Sequence, residues 1–212
     1  MKNQIKGSKK DLLINFVIDR SGSMSGFERA TINGFNSLIE ENLKQEGATY
    51  VSLTLFDNLL DVRSVARDAK SLPKLGTAEN PYFTRGSTAL YDAVGASIVG
   101  VKEWLRNNKW FRGKVLTVIW TDGAENASSE YTLSRINHLI ETQQGKGWTF
   151  QFMGTGEAGW LTSRGFTAIP AAARVHVPQD EFFVGRSYTS MAASTNSLRS
   201  TGNWNYTQES LG

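Results

Sequence analysis

The sequence has no cysteine, which excludes disulfides, zinc–thiolate centres and thiol catalysis together. Histidine is nearly as scarce, with His138 and His176 the whole supply. A serine hydrolase needs an imidazole beside its nucleophile, and these two fall in a helical stretch and a weak strand, where structural roles suit them. The Gly-x-Ser-x-Gly elbow is missing, since Met24 stands midway between Gly22 and Gly26. No Gly-Lys-Ser or Gly-Lys-Thr opens a helix, so there is no phosphate-binding loop of that kind. Long apolar runs are absent too. Leu12–Ile18 is far too short to span a bilayer and runs into Asp19. Residues 1–10 carry Asn3, Gln4 and lysines where a secretory signal would need an apolar stretch. A cytoplasmic protein is the expectation, with association with a virus particle as the alternative.

Charge of one sign is also in small excess. The formal net charge is +3, and Lys2, Lys6, Lys9 and Lys10 supply much of it. The chain reads as a basic arm over 1–10, one domain over 11–202 and a tail over 203–212. Nucleic acid is not expected as a partner, because no basic motif with interleaved aromatics is present. With 212 residues, 40% of them hydrophobic and 20% charged, the chain can bury one sizeable core.

Strand and helix patterns alternate along it. Leu12–Ile18 is nearly continuous in apolar residues, as a strand covered on both faces requires. Phe35, Leu38, Ile39 and Leu43 mark a helix that Gly47 is expected to close. Val51, Leu53 and Leu55 predict a strand, and Asp57-Asn58 a turn into a hairpin edge at Leu60-Asp61-Val62. Residues 68–87 read as a long loop. A helix through Leu90, Val94, Ile98, Val101 and Leu105 precedes a strand over Val115–Trp120. Another helix through Leu133, Ile136 and Ile140 leads to a strand with Trp148, Phe150 and Phe152. A short helix at Trp160-Leu161, a weak strand at Val175–Val177 and a last helix from about Asp180 to Leu198 follow. The expected fold class is α/β: a Rossmann-like, doubly wound, mostly parallel sheet with one antiparallel edge strand and helices on both faces.

Three separated segments then stand at strand ends: Asp19-Arg20-Ser21-Gly22-Ser23, Gly86-Ser87-Thr88 and Thr121-Asp122-Gly123. The candidate metal ligands are Asp19, Ser21, Ser23, Thr88 and Asp122, two carboxylates and three hydroxyls with no nitrogen or sulfur. An all-oxygen set suits a hard divalent cation, Mg²⁺ or else Mn²⁺. A cation held mostly by neutral hydroxyls keeps enough charge to grip an acidic group on another molecule. In near-extended backbone Asp19, Ser21 and Ser23 would project to one side. The competing use of Ser21-Gly22-Ser23 is to cap the following helix. The haloacid-dehalogenase pattern is absent, because Ser21 stands where its second aspartate would.

Taken together, these segments resemble the metal-ion-dependent adhesion site of the von Willebrand factor type A domain family. The resemblance extends to Phe16-Val17-Ile18, Ala89–Ala93 and Gly154-Thr155-Gly156, and covers about residues 11–200. It implies that Ser21 and Ser23 bind the ion directly and that Thr88 does so in the ligand-competent state. Asp19 and Asp122 would act largely through bound waters. It further implies a non-enzymatic domain whose protein partner offers an Asp or Glu carboxylate to the ion. An intracellular adaptor for an AAA+ ATPase or assembly machine, and a structural part of a virus particle or surface assembly, are the alternatives. A metal-dependent hydrolase ranks behind them.

Other charged residues near these segments receive structural assignments. Asp57 suits a hairpin turn, and Asp92 the first turn of a helix, where a negative charge is favourable. Asp61 is likewise assigned to structure. Arg20 and Arg85 flank the segments and read as solvent-facing charge that can also attract an acidic partner. Met24 and Phe27 suit either a contact rim or packing at the start of the helix.

Overall fold

The computed structural model describes residues 7–204. Strand β1 (Leu12–Asp19) is buried along its whole length, and its pleat sends alternate side chains to opposite faces. Leu12, Ile14, Phe16 and Ile18 enter one core, and Leu13 and Val17 enter the other. The unbroken apolar run therefore serves two hydrophobic layers at once.

Helix α1 (Glu28–Leu43), strand β2 (Thr49–Phe56) and strand β3 (Leu60–Asp68) come next. Helix α2 (Leu90–Asn107), strand β4 (Lys114–Thr121) and helix α3 (Leu133–Gln144) follow the long loop. Strand β5 (Trp148–Thr155), helix α4 (Gly156–Gly165), strand β6 (Arg174–Val177) and helix α5 (Glu181–Thr201) complete the order. The sheet runs β3-β2-β1-β4-β5-β6. All neighbours are parallel except β2 and β3. Helices α1 and α5 cover the first core and α2 and α3 the second. The fold is the α/β, doubly wound arrangement expected, with β3 as its antiparallel edge.

The winding direction reverses between β1 and β4, which lie side by side with Ile18 opposite Trp120. At such a reversal the loops leaving the two strands diverge and open a crevice at their carboxyl ends. Asp19 ends β1 and Asp122 directly follows β4, so both stand there.

Several local expectations change. Helix α1 stops at Leu43, before Gly47. Gly47 instead takes φ +92° in the turn into β2, where a Cβ would lie 2.3 Å from the carbonyl oxygen of Lys10. That close approach, and not a helix cap, is what requires glycine. Met24 and Phe27 are buried in the first core and so form no contact rim. At the far end of α5, buried Arg199 gathers the carbonyls of Lys10, Glu46 and Ala48 through Nη1. Its Nη2 donates to Asn42 Oδ1 and Thr49 Oγ1. The arm over 1–6 and the tail over 205–212 lie outside the described residues.

Candidate metal centre

The first ligand loop folds differently from the extended path its spacing suggests. Ser21 itself is extended, at φ −60° and ψ 167°, but Gly22–Met24 makes one tight 3-10 turn. That turn brings Ser21 Oγ within 3.1 Å of Ser23 Oγ. Helix α1 starts only at Glu28, and the Ser21 side chain makes no capping hydrogen bond. The hydroxyls are thus not spent on the helix.

Ser23 Oγ donates to Asp122 Oδ1 at 2.7 Å, which joins the first loop to the third. Asp19 is held at both oxygens: Ser21 N–H donates to Oδ1 at 2.6 Å, and Thr121 Oγ1 donates to Oδ2. Tyr82 from the long loop donates its hydroxyl to the Asp19 carbonyl at 2.7 Å. Thr88 is gripped by Asn126, whose Oδ1 accepts from Thr88 N–H at 2.9 Å and whose N–H donates to Thr88 O at 3.0 Å.

Gly123 shows how closely these oxygens converge. A Cβ built there would lie 3.2 Å from Thr88 Oγ1, 3.3 Å from Ser23 Oγ and 3.8 Å from Asp19 Oδ2. One small volume is therefore lined by oxygens from the first two ligand loops and closed by Gly123 of the third, where a glycine keeps carbon out of it. The donor set fits a hard cation. No three His, Asp or Glu side chains cluster as a metal group among the described residues. The convergence consists of hydroxyls joined by two carboxylates.

Electrostatics follow from depth. Burial pushes the Asp19 carboxyl up to about 6, against the hydrogen bonds from Thr121 and Ser21 that pull it down. Burial also raises Asp122, opposed by Ser23. Two carboxylates that resist ionisation when alone are stabilised by a nearby positive charge, which a divalent ion would supply.

Of the two flanking charges, Arg85 faces solvent as the sequence suggests and Arg20 does not. Arg20 is 2% exposed, its Nε donating to Asp57 Oδ2 at 2.9 Å and its Nη1 to Asp61 Oδ2 at 2.8 Å. It is a buried cross-brace between the first ligand loop and the β2–β3 hairpin, because burial of a guanidinium demands paired carboxylates. Arg85 donates through Nε to the same Asp57 oxygen at 2.8 Å. Asp57 also accepts from Leu59 N–H, so it is both the turn residue expected and the hub of the ion pairs. Asp92 does more than favour a helix start: its carboxylate accepts from the backbone N–H groups of Ser129, Glu130 and Tyr131. Sequence reasoning missed Thr121 as the partner of Asp19 and Asn126 as the grip on Thr88. The only trace of either was proximity to Asp122. His176 rests beside Trp160, ring centroids 5.6 Å apart, and His138 lies on α3.

No family model and no curated protein matches the chain. Solved structures do. Proximal thread matrix protein 1 from the mussel byssus, with a zinc-occupied MIDAS motif, superimposes with TM-score 0.63 at 13% identity, over 86% of this chain and 45% of that one. This chain thus spans under half the length of the byssus protein. The von Willebrand factor domain of a type V pilus tip protein from Porphyromonas gingivalis gives TM-score 0.65 at 10% identity, over 94% and 99%. Manganese-loaded TRAP protein from Plasmodium vivax gives 0.56 at 14% identity, over 82% and 71%. At such identities the likeness concerns the fold, and the fold is that of a von Willebrand factor type A domain.

Proposed function

We propose that this chain is a divalent-metal-dependent protein-binding domain that recognises an Asp or Glu side chain of its partner and carries out no reaction of its own. The observation behind this is the meeting of Asp19, Ser23 and Thr88 oxygens around Gly123, with Asp122 joined to them through Ser23. In this reading Ser21, Ser23 and Thr88 hold Mg²⁺, or Mn²⁺, directly, while Asp19 and Asp122 act through water. The ion supplies a positive charge that neutral hydroxyls leave largely uncompensated, and so attracts an incoming carboxylate. Thr121 and Ser21 N–H orient Asp19, and Asn126 orients Thr88. These residues place the oxygens before any partner arrives, which lowers the ordering cost of binding.

The likeness to structures described as zinc-occupied and manganese-loaded supports a divalent ion in this fold. No helix among the described residues is long and apolar enough to cross a membrane. A cytoplasmic or virion-associated setting belongs to this proposal and is open to fractionation. The deciding experiment is calorimetric titration of Mg²⁺ and Mn²⁺ into the protein and its Asp19→Ala variant, joined to capture from native lysate with and without EDTA. Ion binding lost in Asp19→Ala and a captured protein lost on chelation are expected. Unchanged ion affinity in Asp19→Ala would overturn the assignment.

A further inference from the structure

We propose that Arg85 is a second acid-binding point beside the metal centre, so that the partner segment presents two carboxylates and not one. This rests on the reading of the centre as a carboxylate receptor and adds to it the composition of the ligand.

Arg85 stands at the seam between the first two ligand loops. Its backbone N–H donates to the Arg20 carbonyl at 2.8 Å, and the next carbonyl, Gly86 O, accepts from Gly22 N–H at 3.1 Å. Thr88 follows three positions after Arg85. These main-chain bonds tie the residue to the same strand-end edge as the oxygen cluster.

Its side chain is anchored yet open. Among the described residues its single salt bridge runs from Nε to Asp57, whose carboxylate is fully buried, while the Arg85 side chain stays 48% exposed. The Phe83 ring, itself exposed, lies 5.4 Å from the guanidinium carbon and limits its swing. With Nε fixed in this way, the Nη1–Nη2 edge is the part left for another partner. Two parallel N–H bonds along that edge match the spacing of a carboxylate.

Charge bookkeeping points the same way. Arg20, Arg63 and Arg85 share Asp57 and Asp61. Arg20 engages both acids, whereas Arg85 has only the oxygen it shares with Arg20. The cluster is one positive charge in excess, and its most exposed arginine is Arg85. Glu28 is near in sequence to this loop's contacts, but its oxygens accept from Thr84 Oγ1 and Gly26 N–H, both at 2.7 Å.

The test uses synthetic hexapeptides with one aspartate in a Gly/Ser background, and the same peptides with a second aspartate at each available spacing. Binding to the full chain is read by fluorescence anisotropy in saturating Mg²⁺ and again in EDTA. At least one two-acid peptide is expected to bind about fivefold tighter than the one-acid peptide in Mg²⁺, more than the roughly twofold that counting two equivalent acids would give. The ratio should fall to that counting value in Arg85→Gln and drop partly in Arg85→Lys, which keeps the charge but loses the planar edge. Phe83→Ala, which leaves the Asp57 bond in place, provides a second lowering of the ratio should Arg85→Gln fail to fold by thermal melt. A ratio no higher than that counting value for every two-acid peptide, or a higher ratio unmoved by these variants, overturns the inference while Mg²⁺-dependent binding of single acids still stands. Absence of any Mg²⁺-dependent peptide binding removes the receptor reading, and this inference with it.

Discussion

Gly34 on α1 lies directly beneath the ring of Tyr188 on α5: a Cβ at Gly34 would sit 2.2 Å from Tyr188 Cδ2. The ring has no room to retreat, because it is fully buried and stacked on Trp120 with centroids 4.6 Å apart. Helix propensity alone would make Gly34→Ala stabilising by about 1 kcal/mol. Overpacking of the α1–α5 contact should outweigh this and leave a net loss of about 1–2 kcal/mol. Gly185 on α5 is the control, since nothing lies within 4 Å of its built Cβ. Gly185→Ala should gain about 0.5–1 kcal/mol. Denaturant melts of both variants check the opposite signs.

Gly123→Ala places a methyl group among Thr88 Oγ1, Ser23 Oγ and Asp19 Oδ2. The backbone there accepts alanine, so the fold should survive with a near-native melting curve. Affinity for Mg²⁺ or Mn²⁺ should drop about tenfold or more, equivalent to about 1.4 kcal/mol. Calorimetry with wild-type affinity in this variant would place the ion elsewhere.

Acid–base behaviour offers a separate handle. The Asp19 carboxyl sits at about 6 against an ordinary 3.8, so the folded chain retains a proton that the unfolded chain releases. Its contribution to stability is therefore full below about pH 4 and disappears as pH rises through about 6. In EDTA, unfolding free energies from urea melts should decline across this window by an amount on the order of 2 to 3 kcal/mol. Asp19→Asn should flatten that decline, and parallel wild-type and variant curves would contradict it. A proton on Asp19 opposes the ion, so stabilisation by Mg²⁺ should grow as pH rises towards about 6 and level off above it.

Asp92 secures the chain after Asn126 by accepting three backbone N–H groups at 2.8–2.9 Å. Truncation in Asp92→Ala replaces the carboxylate by water at those donors, two of which lie on the exposed Ser129 and Glu130, and should cost about 2 kcal/mol. Asp92→Asn keeps an acceptor oxygen and should fall between. Because the same stretch grips Thr88 through Asn126, ion affinity should weaken in step, measured by calorimetry on each variant.

The sheet and its crossovers were legible because β1 and β4 are apolar on both faces, a pattern that only a doubly covered strand needs. The convergence of Asp19, Ser21 and Ser23 was expected from extended alternation, yet a 3-10 turn at Gly22–Met24 achieves it. Spacing recorded that the oxygens meet without recording how. Arg20 was misread for a different reason. Its burial depends on Asp57 and Asp61, delivered by a hairpin far along the chain, and nothing local to Arg20 signals that pairing. Asn126 escaped notice likewise, because its two bonds to Thr88 exist only once α2 and the loop after β4 are side by side.

The Arg199 clasp binds the last helix to the Lys10 carbonyl, at the amino-terminal ends of the strands and away from the oxygen cluster. Chain entering and leaving the sheet thus converges on one spot at the base. A pull applied through both flanks would be borne across that short junction, and the edge that carries the oxygen cluster would stay mechanically quiet while its surroundings are strained.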